Sequence, residues 1–272
     1  ISIFPFLKKI ANRFIKMNIP QILKIEEGEL ELDQSDVAVS GALALGSFEE
    51  TEVNMFREKL EAGMTVIDIG ANIGYYTIIA GKRIGVNGKV LAFEPEENNF
   101  SLLTRNISLN KLDNVIVFKV ALADKSGEES LYLDSDNKGH HSLSSQKSKT
   151  EKRVLVRTDT LDNILEKYGS FKVDLIKMDI EGAEFLAFEG MAKTLGINPE
   201  LILFTEFYPQ AIMRLGRSPL QFLKNLVKLG FFLSEIDENK KCLKKIGDLE
   251  SFVSNFPKGE SFTNLYATKK AN

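Results

Sequence analysis

The sequence predicts an α/β domain with a doubly wound, mostly parallel sheet and helices on both faces. Short runs rich in β-branched residues alternate with segments of helical periodicity, which is typical of βαβ units. The length of 272 residues, with 43% hydrophobic side chains, suits one large core. A turn with two glycines follows the first buried run, at residues 70–74, as expected where a strand passes into a helix.

The order of predicted elements extends this to a seven-stranded, Rossmann-like sheet. Five strands come first, then a helix that begins at Ser218 and Pro219 and ends at Gly230, then two closing strands. The predicted strands are 65–69, 89–93, 114–120, 174–178, 201–206, 231–236 and 262–268. The other predicted helices are 50–61, 73–83, one that ends at Asn110, and 182–193.

Two regions lie outside this pattern. Residues 1–48 are predicted to be an N-terminal helical extension, and residues 49–272 to be the domain itself. Within the domain, residues of about 130–157 are predicted to be an insertion, in which extra strands at 130–134 and 154–157 flank a polar surface loop.

Composition and charge exclude several classes of protein. A net charge of -3 gives no basic field of the kind that binds nucleic acid, so no nucleic-acid partner is expected. The lone Cys242 cannot form an intrachain disulfide, which favours a reducing compartment. No run approaches the ~20 apolar residues of a transmembrane helix. We therefore expect a cytoplasmic location.

Residues 1–24 form a basic amphipathic segment without acidic residues. Apolar residues at helical spacing (Leu7, Ile10, Phe14 and Met17) accompany Lys8, Lys9, Arg13, Lys16 and Lys24. Such a helix can contact an anionic membrane surface peripherally, or it can pack on the domain or on a second subunit. The sequence leaves both alternatives and the oligomeric state open.

The strongest local signal is Asp68-Ile-Gly-Ala-Asn-Ile-Gly74, followed by Tyr75. Gly70 and Gly74 let the backbone turn closely around a ligand, and the next helix presents its N-terminal amides there, with Asn72 between them. A carboxylate at Asp68 disfavours a pyrophosphate and suits a cationic ligand. S-adenosylmethionine, which carries a sulfonium and an ammonium, fits this charge.

Two further strand ends complete the predicted cofactor site. Glu94 and Pro95 end the second strand, ~20 residues after the turn, where a nucleotide-binding βαβ unit points a carboxylate at ribose hydroxyls. After the third strand, the small side chain of Ala121 leaves room for an adenine ring.

With these motifs the sequence resembles the FkbM-type methyltransferases from about residue 49 to residue 208. The resemblance implies methyl transfer from S-adenosylmethionine, usually to a hydroxyl oxygen of a sugar, polyketide or other small molecule. The matching segments are 68–77, Phe93-Glu-Pro95, 121–127, Thr160-Leu-Asp162 and, most distinctive, Ile176-Lys-Met-Asp-Ile-Glu-Gly-Ala-Glu184.

Acidic residues end the fourth and fifth strands. Asp179 is predicted to orient cofactor or acceptor, and Glu206 to take part in catalysis, because ligands bind at the carboxyl ends of such strands. Glu181 and Glu184 have two readings, a functional one and a favourable interaction with a helix N-terminus. No metal is predicted, although Asp179, Glu206 and a histidine offer an alternative metal site.

The two histidines, His140 and His141, lie together in the polar insertion. Imidazole titrates near neutral pH and can remove a hydroxyl proton, so both are candidate bases; an ordinary solvated loop is the other reading.

Three functions therefore remain. The first is an O-methyltransferase acting on a small-molecule or glycan acceptor, which includes glycolipids and polyketides. The second is a nicotinamide-dependent oxidoreductase, disfavoured by Asp68 and by the missing third glycine. The third is a non-catalytic module that binds a membrane or a partner.

Overall fold

The computed structural model describes residues 4–133, 153–169, 172–257 and 261–269, with side chains from residue 11 onward. Over these residues the strands are β1 (Ile22–Ile25), β2 (Gly28–Glu31), β3 (Thr65–Ile69), β4 (Lys89–Phe93), β5 (Val115–Phe118), β6 (Ala121–Leu122), β7 (Gly127–Tyr132), β8 (Arg153–Asp159), β9 (Leu175–Met178), β10 (Ile202–Phe207), β11 (Phe232–Asp237), β12 (Cys242–Lys245) and β13 (Thr263–Thr268). The helices are α1 (Phe4–Asn18), α2 (Val39–Ala44), α3 (Glu50–Lys59), α4 (Tyr75–Ile84), α5 (Glu97–Leu109), α6 (Leu161–Tyr168), α7 (Glu184–Glu189), α8 (Ala192–Ile197), α9 (Pro209–Arg214), α10 (Pro219–Lys228) and α11 (Leu249–Asn255).

The main sheet confirms the predicted fold class. Its strand order is β12-β11-β13-β10-β9-β3-β4-β5, and the pairs from β10 through β9, β3 and β4 to β5 are parallel. β13 and β11 close it in antiparallel fashion. The predicted seven strands become eight in the described part of the chain, because Cys242–Lys245 pairs with β11. That strand was missed because its exposed edge carries no apolar alternation.

Alternating side chains along the strands divide the core between the two faces of the sheet. Val66 of β3 packs with residues of α3 and α4, including Phe56. The next residue, Ile67, points the other way and packs with residues of α6, α7, α8 and α10. Adjacent residues of a strand face opposite sides, so this sheet is buried on both faces.

The predicted helix 182–193 is wrong in one respect, because the structure divides it into α7 and α8. The two helices are separated at Gly190, whose carbonyl accepts a hydrogen bond from the Asp162 amide. The Asp162 carboxylate in turn accepts hydrogen bonds from the Lys193 and Thr194 amides. The Asp162 side chain thus caps the N-terminus of α8, so that α8 begins as a separate helix.

The insertion forms a small sheet of its own. β7 and β8 pair in antiparallel fashion, which confirms the two extra strands, and β6 joins β8 in parallel. The predicted third strand therefore ends at Phe118, and Ala121 belongs to this second sheet. The polar loop between β7 and β8 lies outside the described residues.

A pair of asparagines fastens the N-terminal hairpin of β1 and β2 to α5. The Asn106 side chain accepts from the Glu31 amide at 2.6 Å and donates to the carbonyls of Glu31 and Ile73 at 3.0 and 2.8 Å. One helical turn later, the Asn110 side chain bonds the Glu29 amide and carbonyl in the same way. The side-chain amides of Asn106 and Asn110 thus bond the backbone of β2 as a neighbouring strand would. The division at residue 48 stays a prediction.

Replacing Asn106 by alanine should loosen this attachment. Asn106→Ala removes three buried hydrogen bonds and leaves backbone groups of β2 without partners, so we expect the free energy of unfolding to fall by about 2–4 kcal/mol. Asn98→Ala in the same helix removes a single side-chain contact with Glu96 and should change it by less than about 1 kcal/mol. Urea unfolding measures both; equal losses would contradict the role of Asn106.

Candidate active site

Two adjoining clefts open at the carboxyl ends of the central parallel strands. The first has a volume of about 580 Å³ including its open mouth. It runs between the ends of β3, β4 and β9 and the segment at β6. Its walls include Gly70, Asn72, Glu94, Pro95, Asn99, Val120, Ala121, Leu122, Leu131, Asp179 and Ile180.

The turn after β3 is shaped by how closely it approaches the loop after β9. Gly70 has φ +82°, and a Cβ built on it would lie 1.9 Å from the Asp179 carbonyl oxygen. Gly74 has φ +96°, and its Cβ would lie 2.7 Å from Leu103 Cδ1. Only glycine fits both positions. Asn72, at φ +50°, completes the left-handed turn.

Glu94 is held at the wall of the first cleft by backbone amides. Its carboxylate accepts from the Asn72 amide and from the Glu96 amide, each at 2.9 Å. Burial raises the pKa of Glu94 to about 7, although these hydrogen bonds oppose the rise. The group is fixed in place and titrates near neutrality.

The loop after β9 wraps around a second buried carboxylate. Glu184 accepts from the amides of Ile180 and Gly182 at 3.0 and 3.1 Å, and burial raises its pKa to about 7. Glu181 and Gly182 are both left-handed, at φ +57° and +97°. Glu184 lies at the start of α7 and lines neither cleft, which agrees with the structural reading of this residue.

The second cleft meets the first at the loop after β9. Its volume is about 850 Å³ including open solvent, and it shares Gly70, Asn72, Asp179 and Glu181 with the first cleft. Its remaining wall combines aromatic, acidic and N-terminal residues: Ala38, Val39, Phe48, Glu49, Asp68, Tyr75, Tyr76, Lys177, Glu206 and Phe262.

A buried lysine, which the sequence interpretation missed, lies at the floor of the second cleft. Lys177 Nζ is 2.9 Å from Glu52 Oε1, 3.8 Å from Asp179 Oδ2 and 4.7 Å from the centre of the Tyr76 ring. Burial lowers the pKa of Lys177, but the surrounding carboxylates outweigh this and raise it above the usual lysine value. The lysine stays charged.

A polar network extends from this lysine to the edge of the cleft. Asn264 donates to the carboxylates of Glu49 and Glu52, and the Tyr76 hydroxyl donates to Glu49 at 2.9 Å. Burial raises the pKa of Glu52 to about 8, against the attraction of Lys177. The sequence signal for this network was a lysine inside a buried strand, which needs a carboxylate partner.

Three carboxylates converge where the clefts meet. Oxygens of Asp179, Glu181 and Glu206 lie within 4.8 Å of one another, close enough to ligate one cation together. The alternative metal site of Asp179, Glu206 and a histidine stays a prediction, because His140 and His141 lie outside the described residues. The prediction of a metal-free site stays a prediction.

Most of the predicted cofactor residues meet in the first cleft: Gly70, Asn72, Glu94, Pro95, Ala121 and Asp179. Asp68 and Tyr75 line the second cleft instead. Asp68 accepts a hydrogen bond from the Thr77 hydroxyl, and burial raises its pKa to about 6. Gly74 is the N-cap residue just before α4 and lines neither cleft. Glu206 lines the second cleft, and His140 and His141 lie outside the described residues.

The structure places Asp68 at the second cleft, and its role in binding the cofactor stays a prediction. Its side chain projects to the face of the sheet that carries α3 and α4, because it alternates with Ile67 and Ile69, which face the opposite core. The cation nearest to it in the sheet is Lys177, its register partner on β9. Within the protein, the Asp68 carboxylate is attracted by Lys177 and accepts a hydrogen bond from the Thr77 hydroxyl.

The fold is that of the Rossmann-like methyltransferase class, and comparison with known proteins gives the family. The model of the methyltransferase FkbM domain matches residues 68–233. The chain belongs to the FkbM methyltransferase family. This confirms the family resemblance, and with it S-adenosylmethionine as the cofactor of the family.

Individual relatives are more distant. Hexuronic acid methyltransferase AglP of Haloferax volcanii is 28% identical over 148 residues, 54% of this chain and 58% of that protein. Methyltransferase sdnD of Sordaria araneosa is 26% identical over 46% of this chain and 60% of that protein. The chain thus matches less than two thirds of the length of either relative.

Among solved structures, methyltransferase FkbM from Methylobacillus flagellatus aligns with 14% identity and a TM-score of 0.44. The alignment covers 96% of this chain and 59% of that one. It says nothing about activity or site.

A methyl group on Gly70 should disrupt the junction of the two clefts. Gly70→Ala would drive Cβ into the Asp179 carbonyl, so we expect a loss of about 3 kcal/mol or more in the free energy of unfolding. Gly63 has nearly the same φ, +85°, but open space around it, so Gly63→Ala should cost only about 1–2 kcal/mol. Urea unfolding compares the two; similar costs would show that φ alone matters at Gly70.

Proposed function

We propose that the protein is an S-adenosylmethionine-dependent O-methyltransferase that acts on a small hydroxylated acceptor, such as a sugar, glycolipid or polyketide. The observation that carries this proposal is the meeting of two clefts at Asp179. One cleft is built from family residues and suits a nucleotide. The other is partly built from residues before and after the matched region, as expected for a cleft that differs between acceptors.

The first cleft fits the cofactor on its own residues. Gly70 and Asn72 line its floor, and Glu94 offers a fixed carboxylate for the ribose hydroxyls. Val120, Ala121 and Leu122 provide an apolar wall for the adenine. When bound, S-adenosylmethionine supplies an activated methyl group.

In the second cleft, carboxylates are available to hold and deprotonate an acceptor hydroxyl. Asp179 borders both clefts, and its side chain is 31% exposed, whereas Glu206 is buried. The Lys177 ammonium lies 3.8 Å from the Asp179 carboxylate and attracts it. We assign Asp179 the role of orienting the acceptor oxygen and receiving its proton, with Glu206 beside it. His140 and His141 remain candidates for the same role.

The charge of the second cleft bears on the kind of acceptor. Its carboxylates outnumber its single described cation, Lys177: they are Glu49, Asp68, Asp179, Glu181 and Glu206. An acidic acceptor would meet like charges at short range. A neutral polyol is therefore favoured over an acid of the kind named for the Haloferax relative.

The oxidoreductase alternative loses support from the same geometry. A pyrophosphate needs an open, uncharged turn, whereas this cleft has acidic Asp179 and Glu181 at its junction. A non-catalytic module would have no need for two joined clefts.

Glu94 should make cofactor binding depend on pH. The ribose hydroxyls favour the ionised carboxylate, so binding of S-adenosylhomocysteine should tighten as the pH rises from about 6 to about 8, through the Glu94 pKa of about 7. Glu94→Gln should weaken binding about 10- to 100-fold at pH 8 and remove much of this dependence. Isothermal titration calorimetry measures both effects.

Glu96→Gln is the matched control, because Glu96 is a buried neighbour that caps α5 and does not line the first cleft. Its affinity for S-adenosylhomocysteine should stay close to that of the unchanged protein. Undiminished binding by Glu94→Gln would contradict the assignment of the ribose site, and no binding by the unchanged protein would contradict the proposed function.

The acceptor can be sought with methyl-labelled cofactor against neutral glycans, uronic acids, lipid extracts and polyketides. We expect transfer to a neutral hydroxyl compound in preference to a uronic acid. With that acceptor, Asp179→Asn should lower kcat by about 10²–10⁴, since a positioned base is lost. Asp124→Asn, at an exposed position outside both clefts, should leave kcat unchanged. Preferred transfer to an acid, or full activity of Asp179→Asn, would contradict these assignments.

A further inference from the structure

The outer face of α1 presents two large apolar side chains to solvent. Phe14 is 69% exposed and Met17 is 76% exposed, and their spacing places them on the same side of the helix. The two side chains form a small apolar patch that a membrane or a partner can contact.

The opposite side of α1 is fixed against the protein. Ile15 packs into the N-terminal core cluster, and Ile19, just beyond the helix, is 3% exposed. A Cβ on Gly41 of α2 would lie 3.0 Å from Ile15 Cγ2, so the two helices are in close contact. This packing fixes the direction in which Phe14 and Met17 point.

Positive charge accompanies the exposed apolar residues. Arg13, Lys16 and Lys24 are exposed, and none of them forms an ion pair with a residue that the structure describes. No acidic residue precedes Glu26 in the sequence, although the whole chain carries a net charge of -3. The basic charge is thus concentrated beside the apolar patch.

We propose that this face of α1, defined by Arg13, Phe14, Lys16 and Met17, binds peripherally to an anionic lipid bilayer. Apolar side chains of an interfacial helix enter the boundary between headgroups and acyl chains, while flanking basic residues contact lipid phosphates. No helix in the described part of the chain is long and apolar enough to cross a bilayer.

Charge favours a membrane over a second copy of the chain. In a symmetric dimer the same patch on both subunits would meet itself, and Arg13 and Lys16 would face their own equivalents. An anionic bilayer instead offers the complementary charge, and its influence is screened by salt.

The membrane-binding face is linked to the second cleft through α2. Gly41 of α2 contacts Ile15, while Val39 of the same helix and the preceding Ala38 line the cleft. Provided that the proposed function holds, this arrangement favours an acceptor presented at the bilayer surface, such as the headgroup of a glycolipid.

Co-sedimentation of the full chain with vesicles tests the proposal. We expect binding to vesicles that contain phosphatidylglycerol, little binding to phosphatidylcholine alone, and weaker binding at high salt. The double variants Phe14→Ser/Met17→Ser and Arg13→Gln/Lys16→Gln should each lower the affinity for these vesicles by at least about tenfold. Matched controls at exposed sites elsewhere, Val86→Ser and Lys228→Gln/Lys245→Gln, should bind like the unchanged protein.

Equal recovery with both kinds of vesicle, or undiminished binding by both double variants, would overturn the proposal. So would a dimer, detected by light scattering without lipid, that the Phe14→Ser/Met17→Ser change dissociates, since a second copy would then cover the face. Titration of each variant with S-adenosylhomocysteine separates the two proposals. Loss of cofactor binding with intact vesicle binding would contradict the proposed function and leave the membrane proposal standing.

Discussion

The close approach of Gly70 to the Asp179 carbonyl is the constraint on which the rest of the site depends. β3 and β9 are neighbours in the sheet, but the chain continues from β3 towards β4 and from β9 towards β10, on opposite sides. Loops that leave such a switch point diverge and open a crevice. Here the two loops touch at Gly70, so the crevice is divided into two clefts that share Asp179.

Buried charge beside this junction places demands on the fold. Asp68, Glu52 and Lys177 lie beneath the second cleft, away from water, and each would be costly without a partner. Lys177 partly compensates for the carboxylates around it, and Asn264 and Tyr76 complete the network with hydrogen bonds. The network joins α3, α4, β9 and β13, so segments before and after the matched family region help to position the site.

The sequence was most informative where local chemistry and the strand pattern agree. The bounds of β3 and β4 were predicted, and six of the predicted cofactor residues meet in one cleft, because glycines and acids at strand ends follow directly from the alternation of strands and helices. It was less informative where contacts are distant in sequence. The division of α7 from α8 depends on Asp162, and β12 depends on pairing with β11; neither has a local signal.

The sequence by itself determined the class of fold, the glycine-rich turn after β3 and the family, since these depend on residue types at short, fixed spacings. Only the tertiary structure decided that Asp68 faces the second cleft and that Lys177, Glu52 and Asn264 form one network. It also decided which side of α1 is covered, leaving Phe14 and Met17 outside. The physical reason is that the direction of a side chain depends on register and packing partners, which come from distant parts of the chain.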